Sequence, residues 1–269
     1  MKKFYFLLLL ALTMTSIGAR AAKEVYTEFD SKTGTLTYYY DDQRASRTGI
    51  TEVYDFANNP DAVRFNGYKD QVTKAVIDAS MKEAGLTSMR RMFYGLRRMA
   101  SIDGMDNLVT NRVESMYGMF YECSALKKVD LSRFNTGNVT EMYAMFFSCQ
   151  SLTSLNLSSF DTRKVKSMYA MFKDCHALKE INLRNFDMVK ATTVQDMFYG
   201  CFDLKTIYCN NDWSASETLT ESHNLFKECH SLVGVSGTAC DGENNIDKAH
   251  ARIDRGSSEP GYFYHITET

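Results

Sequence analysis

Residues 139–162 read VTEMYAMFFSCQSLTSLNLSSFDT, and residues 165–188 repeat the pattern as VKSMYAMFKDCHALKEINLRNFDM. In each copy a Cys follows a Met-Phe pair by three residues, and a Leu follows the Cys by three. Equivalent residues of successive copies are 26 residues apart in the middle of the chain, 27 at the first step and 28 at the last. The Met-Phe pairs are Met92-Phe93, Met119-Phe120, Met145-Phe146, Met171-Phe172 and Met197-Phe198, with a degenerate Leu225-Phe226. Self-similarity at a fixed period of this length is the signature of a repeat architecture.

Each repeat has two halves with different hydrophobic periods. In Val139–Cys149 apolar residues recur at intervals of three, four and three, which predicts a short amphipathic helix. Leu152–Leu157 ends on strict alternation, which predicts a strand with one buried face. One strand and one short helix cannot bury their own apolar side, so successive coils must stack.

The predicted fold is therefore α/β: a leucine-rich-repeat solenoid of short parallel strands and short helices, about 26 residues per coil, with a small N-terminal β cap. Val25–Phe29 and Thr35–Tyr40 flank a turn and predict a β-hairpin in that cap. The predicted segments are 1–21 (signal peptide), 22–71 (N-terminal β-hairpin cap), 72–235 (solenoid) and 236–269 (C-terminal cap).

The first residues resemble a secretory signal. Lys2 and Lys3 precede the apolar run Phe4–Leu12, and Ala19-Arg20-Ala21 supplies a small-x-small cleavage pattern. The apolar run is shorter than the roughly 20 residues that a membrane span needs, so cleavage is favoured over a membrane anchor. The expected location is secreted or at the cell surface, with the periplasm as an alternative. Loss of Lys2, Lys3 and Arg20 changes the formal charge from −2 to −5, which disfavours a nucleic-acid partner.

The repeat unit V-x-x-M-Y-x-M-F-x-x-C-x-x-L-x-x-L-[DN]-L-S-x-F-[DN]-T resembles the BspA-like leucine-rich-repeat proteins, also called the DUF285 repeat family. Thr33–Gln43 resembles the leading segment of that family, and Ala251–Phe263 resembles its closing segment. The resemblance implies a bacterial surface or secreted protein, with adhesion to host matrix proteins or other cells as one implied role.

Five Cys occupy one position of successive coils, and alternatives exist for their chemistry. Stacked coils would place neighbouring Cys about 5 Å apart, within reach of a disulfide. Each of these Cys nevertheless ends an apolar stripe, and small buried thiols are favoured over disulfides or metal ligands. Cys240 lies outside the pattern and is the best candidate for an exposed or paired thiol. The ladder positions are Cys123, Cys149, Cys175, Cys201 and Cys229.

Two sets of residues are candidates for ligand binding. Strand alternation directs one set to the open sheet face, the surface on which solenoids commonly bind, although a merely solvated face is the alternative. This set contains Lys128, Asp130, Ser154, Asn156, Glu180, Asn182, Arg184 and Tyr208. The second set, Tyr117, Tyr143 and Tyr169, follows buried Met residues and predicts a stack of Tyr side chains at the solvent edge. Tyr is enriched at interfaces, but packing between coils is the favoured explanation of the stack.

No catalytic constellation is evident, and no cofactor is expected. The five His lack metal-ligand spacing, and no phosphate-binding loop or nucleophile motif occurs. The favoured function is therefore a non-enzymatic interaction protein that binds protein or glycan on host or neighbouring cells through its repeat surface. The alternatives are a structural or decoy coat protein without a specific ligand, and a hydrolase whose site is unrecognised.

Overall fold

The computed structural model describes residues 21–54, 65 and 67–265. The predicted signal peptide lies outside the described residues apart from Ala21. This part of the chain contains eight strands, six short 3-10 helices and no α-helix. No helix within it combines the length and the apolar character that a membrane crossing needs. The strands are β1 (Glu24–Asp30), β2 (Thr35–Asp41), β3 (Ile50–Val53), β4 (Lys74–Ile77), β5 (Ser101–Asp103), β6 (Glu180–Asn182), β7 (Thr206–Tyr208) and β8 (Phe263–Tyr264). The 3-10 helices are Arg44–Ser46, Lys69–Gln71, Ala79–Glu83, Met105–Asn107, Lys248–His250 and Gly256–Ser258.

The N-terminal cap is joined to the repeats by one continuous sheet. β1 and β2 form the predicted antiparallel hairpin, and β3 pairs antiparallel with the other edge of β1. β2 then pairs in parallel with β4, and β4 with β5, which gives the order β3-β1-β2-β4-β5. The expectation of parallel strands is therefore wrong for this sheet, which is mixed. It holds for the second sheet, in which β6, β7 and β8 are parallel.

The predicted short helices are also wrong. In Val113–Cys123 turn bonds such as Met119 N–H to the Met116 carbonyl (3.2 Å) alternate with bonds to the next coil. Met116 N–H donates to the Glu141 carbonyl (3.0 Å) and Gly118 N–H to the Tyr143 carbonyl (2.9 Å). In an α-helix these N–H groups would donate to carbonyl groups of the same segment. Here every second one crosses to the neighbouring coil.

Left-handed residues explain this alternation. Gly118, Ala144 and Ala170 occupy one position of successive coils and have φ values of 55°, 49° and 51°. Four residues later, Glu122 and Ser148 each have φ of 57°. A left-handed residue ends a right-handed helical turn, so the backbone forms consecutive tight turns. The apolar spacing of three, four and three is satisfied by either backbone.

The strand half of the repeat is regular in burial but not in hydrogen bonding. Leu126, Leu131, Leu152 and Leu157 are buried as alternation predicts. Residues 126–131 and 152–157 nevertheless contain no strand, whereas the matching residues of the next two coils form β6 and β7. The predicted alternation of one strand and one helix per coil is therefore realised only in part.

The core consists of columns of identical side chains. The rings of consecutive Phe residues stack with centroids 5.2–6.0 Å apart and planes within 11° of parallel. This column contains Phe93, Phe120, Phe146, Phe172, Phe198 and Phe226. Beside it, each ladder thiol contacts the carbonyl of a Phe in the preceding coil, as Cys149 does with Phe120 at 3.1 Å.

All seven Cys are buried free thiols. The small-thiol interpretation of the ladder is confirmed, and the disulfide alternative is wrong. The expectation that Cys240 is exposed or paired is also wrong, because the closing segment buries it beside the Phe226 carbonyl. Among the described residues, no three His, Cys, Asp or Glu side chains are grouped as a metal ion would require.

A column of buried Thr side chains links the other side of the coils. The Thr136 hydroxyl donates to the Asp161 carbonyl at 3.0 Å and accepts the Asp161 N–H at 2.7 Å. Thr110 and Thr162 make the same pair of bonds one coil earlier and one coil later. Each hydroxyl therefore replaces a missing backbone partner between coils.

We expect Thr136→Val to lower the free energy of unfolding by about 2–4 kcal/mol, because it leaves a buried N–H and a buried carbonyl without partners. Thr140→Val is the matched control, since the Thr140 hydroxyl only donates to the Glu114 carbonyl near the surface at 3.2 Å. The control should cost less than about 1 kcal/mol. Urea unfolding measures both; equal losses would contradict the proposed role of the column.

The C-terminal segment closes the stack around Asp254. Its carboxylate accepts the N–H groups of Ser236 (2.8 Å), Thr238 (3.0 Å) and Gly256 (3.0 Å) and the Thr238 hydroxyl (2.7 Å). Burial raises the pKa of this carboxyl, but the hydrogen bonds outweigh burial and hold the pKa below its usual 3.8. The ionised form is therefore the one that holds the closing segment.

A depressed pKa in the folded state means that Asp254 stabilises the fold above the ordinary carboxyl pKa and loses this effect as the pH falls through the folded pKa. We expect Asp254→Asn to cost about 2 kcal/mol near neutral pH. The difference from the native protein should shrink as the pH falls below about 4. Thermal unfolding over this range measures it, and a pH-independent difference would show that the charge is not responsible.

Candidate functional site

The first predicted binding surface lies where alternation places it. Lys128, Ser154, Glu180 and Arg184 are exposed, as are the Asp and Asn residues that alternate with them. Tyr208 differs, because its ring packs edge-on against Tyr264 of β8 at 5.8 Å and is half-buried. We call this surface the strand-side strip; it contains Lys128, Asp130, Ser154, Asn156, Glu180, Asn182, Arg184 and Tyr208.

The Asp and Asn side chains of the strand-side strip are occupied by their own backbone. Asp130 accepts the Ser132 N–H at 2.9 Å, and Asn156 and Asn182 make the same bond two residues onward at 3.1 Å. The backbone hydrogen bond from Ser132 lowers the pKa of Asp130. These three side chains form turns, so one oxygen of each is already used by the backbone.

The second predicted surface is a stack of Tyr rings. Tyr117 and Tyr143 have ring centroids 4.9 Å apart, and Tyr143 and Tyr169 are 4.8 Å apart. Tyr143 is the most exposed of the three, at 36% of its full area. The stack packs between coils and also reaches solvent; its role in ligand binding stays a prediction.

The sequence interpretation missed a second aromatic column beside the first. Tyr94 stacks on Tyr121 at 4.6 Å, and Tyr121 on Phe147 at 4.5 Å. These residues lie four positions after the first column, a regularity that is visible in the repeat once Tyr117 and Tyr121 are compared with Tyr143 and Phe147. Between the columns lies the buried row of Gly118, Ala144 and Ala170. We call the six rings the aromatic face: Tyr94, Tyr117, Tyr121, Tyr143, Phe147 and Tyr169.

The aromatic face presents ring edges and hydroxyl groups to solvent, because most of its rings stack nearly parallel along each column, with Tyr117 tilted by 42° against Tyr143. The hydroxyls of Tyr94, Tyr121 and Tyr143 have no hydrogen-bond partner in the part of the chain that the structure describes. Burial, followed by Tyr94 and Glu122, raises the pKa of Tyr121 to about 12. Its phenol is therefore neutral and can donate a hydrogen bond near neutral pH.

Charged side chains bound the aromatic face at both ends. At one end the Arg90 guanidinium lies 4.7 Å from the Tyr117 ring centre, and that of Arg91 lies 5.2 Å from both Tyr94 and Tyr117. At the other end, Lys173 replaces the aromatic residue of the second column. The face therefore has defined limits along the stack of coils.

An ion pair with a buried carboxylate lies at this second end of the aromatic face. Lys173 Nζ lies 3.0 Å from a carboxylate oxygen of Asp196, which is 5% exposed, and 4.2 Å from the ring centre of Tyr199. Asn224 donates to the other carboxylate oxygen at 3.1 Å. Burial lowers the pKa of Lys173, but Asp196 outweighs burial and raises it overall. Asp196 occupies the position of Ala144 and Ala170, so the pair interrupts the second column and the row of small residues beside it.

The described thiols are poor nucleophiles. Burial raises the pKa of Cys123, Cys149 and Cys175, so their reactive thiolate forms are suppressed. His176, which follows a ladder Cys, stacks on Phe202 with ring centres 4.7 Å apart. The geometry therefore offers no activated Cys–His pair at this position.

Two comparisons with known proteins return a match. The family model described as "Mycoplasma protein of unknown function, DUF285" matches residues 87–213 and 154–234, together more than half of the chain. Among solved structures, a leucine-rich repeat protein from Bacteroides ovatus is 15% identical, with a TM-score of 0.30 over 80% of this chain and 70% of that chain. No curated protein matches the chain.

The ion pair at the end of the aromatic face allows a double-mutant test. Lys173→Phe extends the column of Phe147, and Asp196→Ala extends the row of Ala170. Each single change leaves a half-buried charge without its partner and should cost about 2–4 kcal/mol. The double variant should recover most of that loss or exceed native stability, since apolar replacements of buried pairs are often neutral or stabilising. Additive losses in urea unfolding would contradict this account.

Proposed function

Because the chain belongs to the DUF285 family, whose description assigns no activity, we propose its function from its own surface: it is a secreted or surface-exposed interaction protein. It binds a protein on host or neighbouring cells through the aromatic face, in the manner of an adhesin. The observation that carries this proposal is the set of unpartnered phenol groups on a continuous aromatic surface.

The chemistry of the aromatic face suits a protein partner. Tyr supplies a large apolar contact together with a hydroxyl group, and it is enriched at protein interfaces for this reason. Stacking on both neighbours fixes the ring of Tyr143 before a partner arrives, so binding costs little side-chain entropy. The guanidinium groups of Arg90 and Arg91 lie over the rings at one end of the face, and that of Arg90 also pairs with Glu141 at 3.5 Å.

The strand-side strip is the weaker candidate for this role. Its Asp130, Asn156 and Asn182 side chains are used in turns. Lys128 and Glu180 are exposed single charges, which contribute little to affinity in high dielectric. Lys2, Lys3 and the apolar run Phe4–Leu12 support the extracellular location in this proposal. The absence of an activated nucleophile at the thiols supports a non-catalytic role.

The test uses purified matrix glycoproteins and collagens immobilised for biolayer interferometry. For any protein bound saturably, Tyr143→Ala should weaken binding at least about tenfold, as expected when a central interface Tyr is truncated. Tyr143→Phe keeps the ring stack and removes only the free hydroxyl, so it should weaken binding about fivefold without changing the melting temperature.

A matched variant on the strand-side strip separates the two surfaces. Ser154→Arg with Glu180→Arg alters exposed side chains that make no hydrogen bond within the described ranges. This variant should bind as the native protein does. Loss of binding here, with Tyr143→Ala unaffected, would move the function to the strand-side strip. Absence of saturable binding to every protein tested would favour a coat protein without a specific ligand.

A further inference from the structure

A second surface, separate from the aromatic face, has the composition of a small-ligand site. A depression of about 410 Å³ lies between two successive turns of the stack and reaches Asn211 in a third. Its lining surface is polar and apolar in nearly equal parts, although Phe160 itself is only 2% exposed. The lining residues are Ser158, Ser159, Phe160, Asp161, Arg163, Arg184, Asn185, Asp187 and Asn211.

The amide groups of the depression leave acceptor oxygens free. Asn185 Nδ2 donates to the Ser158 carbonyl at 2.6 Å, and Asn211 Nδ2 donates to the Phe186 carbonyl at 2.8 Å. Each amide nitrogen is thereby fixed to the preceding coil, and each Oδ1 is left without a donor from the described residues. Asp187 Oδ1 accepts the Val189 N–H at 2.8 Å, which leaves Asp187 Oδ2 without a donor from the described residues.

The positive charges of the depression are not equivalent. Arg163 binds Asp161 through Nε at 3.0 Å and Nη2 at 2.7 Å, and the Asp161 hydrogen bond and then nearby Asp187 raise its pKa. The carboxylates of Asp161 and Asp187 therefore both stabilise the charged form of Arg163. Arg184 is exposed, and its guanidinium has no hydrogen bond or ion pair across the described parts of the chain.

We propose that this depression binds an acidic sugar unit of a glycan. The Arg184 guanidinium takes the sugar carboxylate, because its fork of donors matches both carboxylate oxygens. Hydroxyl groups of the ring donate to Asp187 Oδ2, Asn185 Oδ1 and Asn211 Oδ1. This site is independent of the proposed protein-binding function of the aromatic face.

The experiment titrates the purified full chain with short oligogalacturonides by calorimetry. Their methyl esters serve as the matched probe, since esterification removes the carboxylate charge and keeps the ring hydroxyls. We expect saturable binding of the acid and binding of the ester that is at least about tenfold weaker, because a charge-assisted hydrogen bond is lost. Equal binding of acid and ester, or no binding of the acid, would overturn the proposal.

Variants locate the binding. Arg184→Ala should weaken binding of the acid about 10- to 100-fold and leave the ester unchanged, and Arg184→Lys should restore part of the loss. Ser158→Tyr fills the depression and should abolish binding of both probes. Arg133→Ala is the control, because Arg133 is exposed and lies outside the lining. Loss of binding in the control, or native binding by Arg184→Ala, would place the ligand elsewhere.

Discussion

The hydrogen-bond ladder between successive coils is the constraint on which the structure depends. Met116, Gly118, Phe120 and Glu122 each donate a backbone N–H to the coil that follows, at 2.7–3.0 Å. A ladder of this kind fixes each coil one strand spacing from the next, so equivalent residues must lie directly above one another. The columns of Phe, Cys and Thr are consequences of that register. A side chain in a core column therefore packs against the equivalent side chains of the neighbouring coils.

The same constraint explains why Cys occupies its column. The position lies close to the Phe carbonyl of the preceding coil, at 3.0–3.2 Å from each ladder sulfur. A thiol fills this space and can donate weakly to the carbonyl. The ladder that suggested disulfides is therefore a packing device. Its regularity comes from the spacing of the coils and indicates no redox chemistry.

Much of the fold follows from the sequence, and the errors have one physical source. The period, the hairpin of β1 and β2, and the buried positions were predictable, because burial depends on spacing alone. The predicted helices at 113–123 and 139–149 failed because tight turns with left-handed residues bury the same positions as a helix. Gly95, Gly118 and Gly200 indicate these turns, but Ala144 and Ala170 conceal the pattern by adopting positive φ without glycine. Gly104 shows the same limit: a Cβ there would lie 2.3 Å from the Ile77 carbonyl oxygen, a contact that no local pattern reveals.

The candidate sites were less predictable, because a stack of coils satisfies most polar groups in a way that depends on neighbours 26 residues away. Alternation placed Asp130 and Asn156 on the surface but could not show that they cap their own turns. Tyr117 and Tyr169 show the opposite case. Arg91 donates a hydrogen bond to the Tyr117 hydroxyl and Asp196 accepts one from Tyr169, whereas the Tyr143 hydroxyl has no partner among the described residues. In such a fold, exposure alone does not identify a binding residue. The better criterion is a fixed side chain whose polar atom the adjacent coil leaves unpaired, and the phenol of Tyr143 and the amide oxygen of Asn185 both meet it.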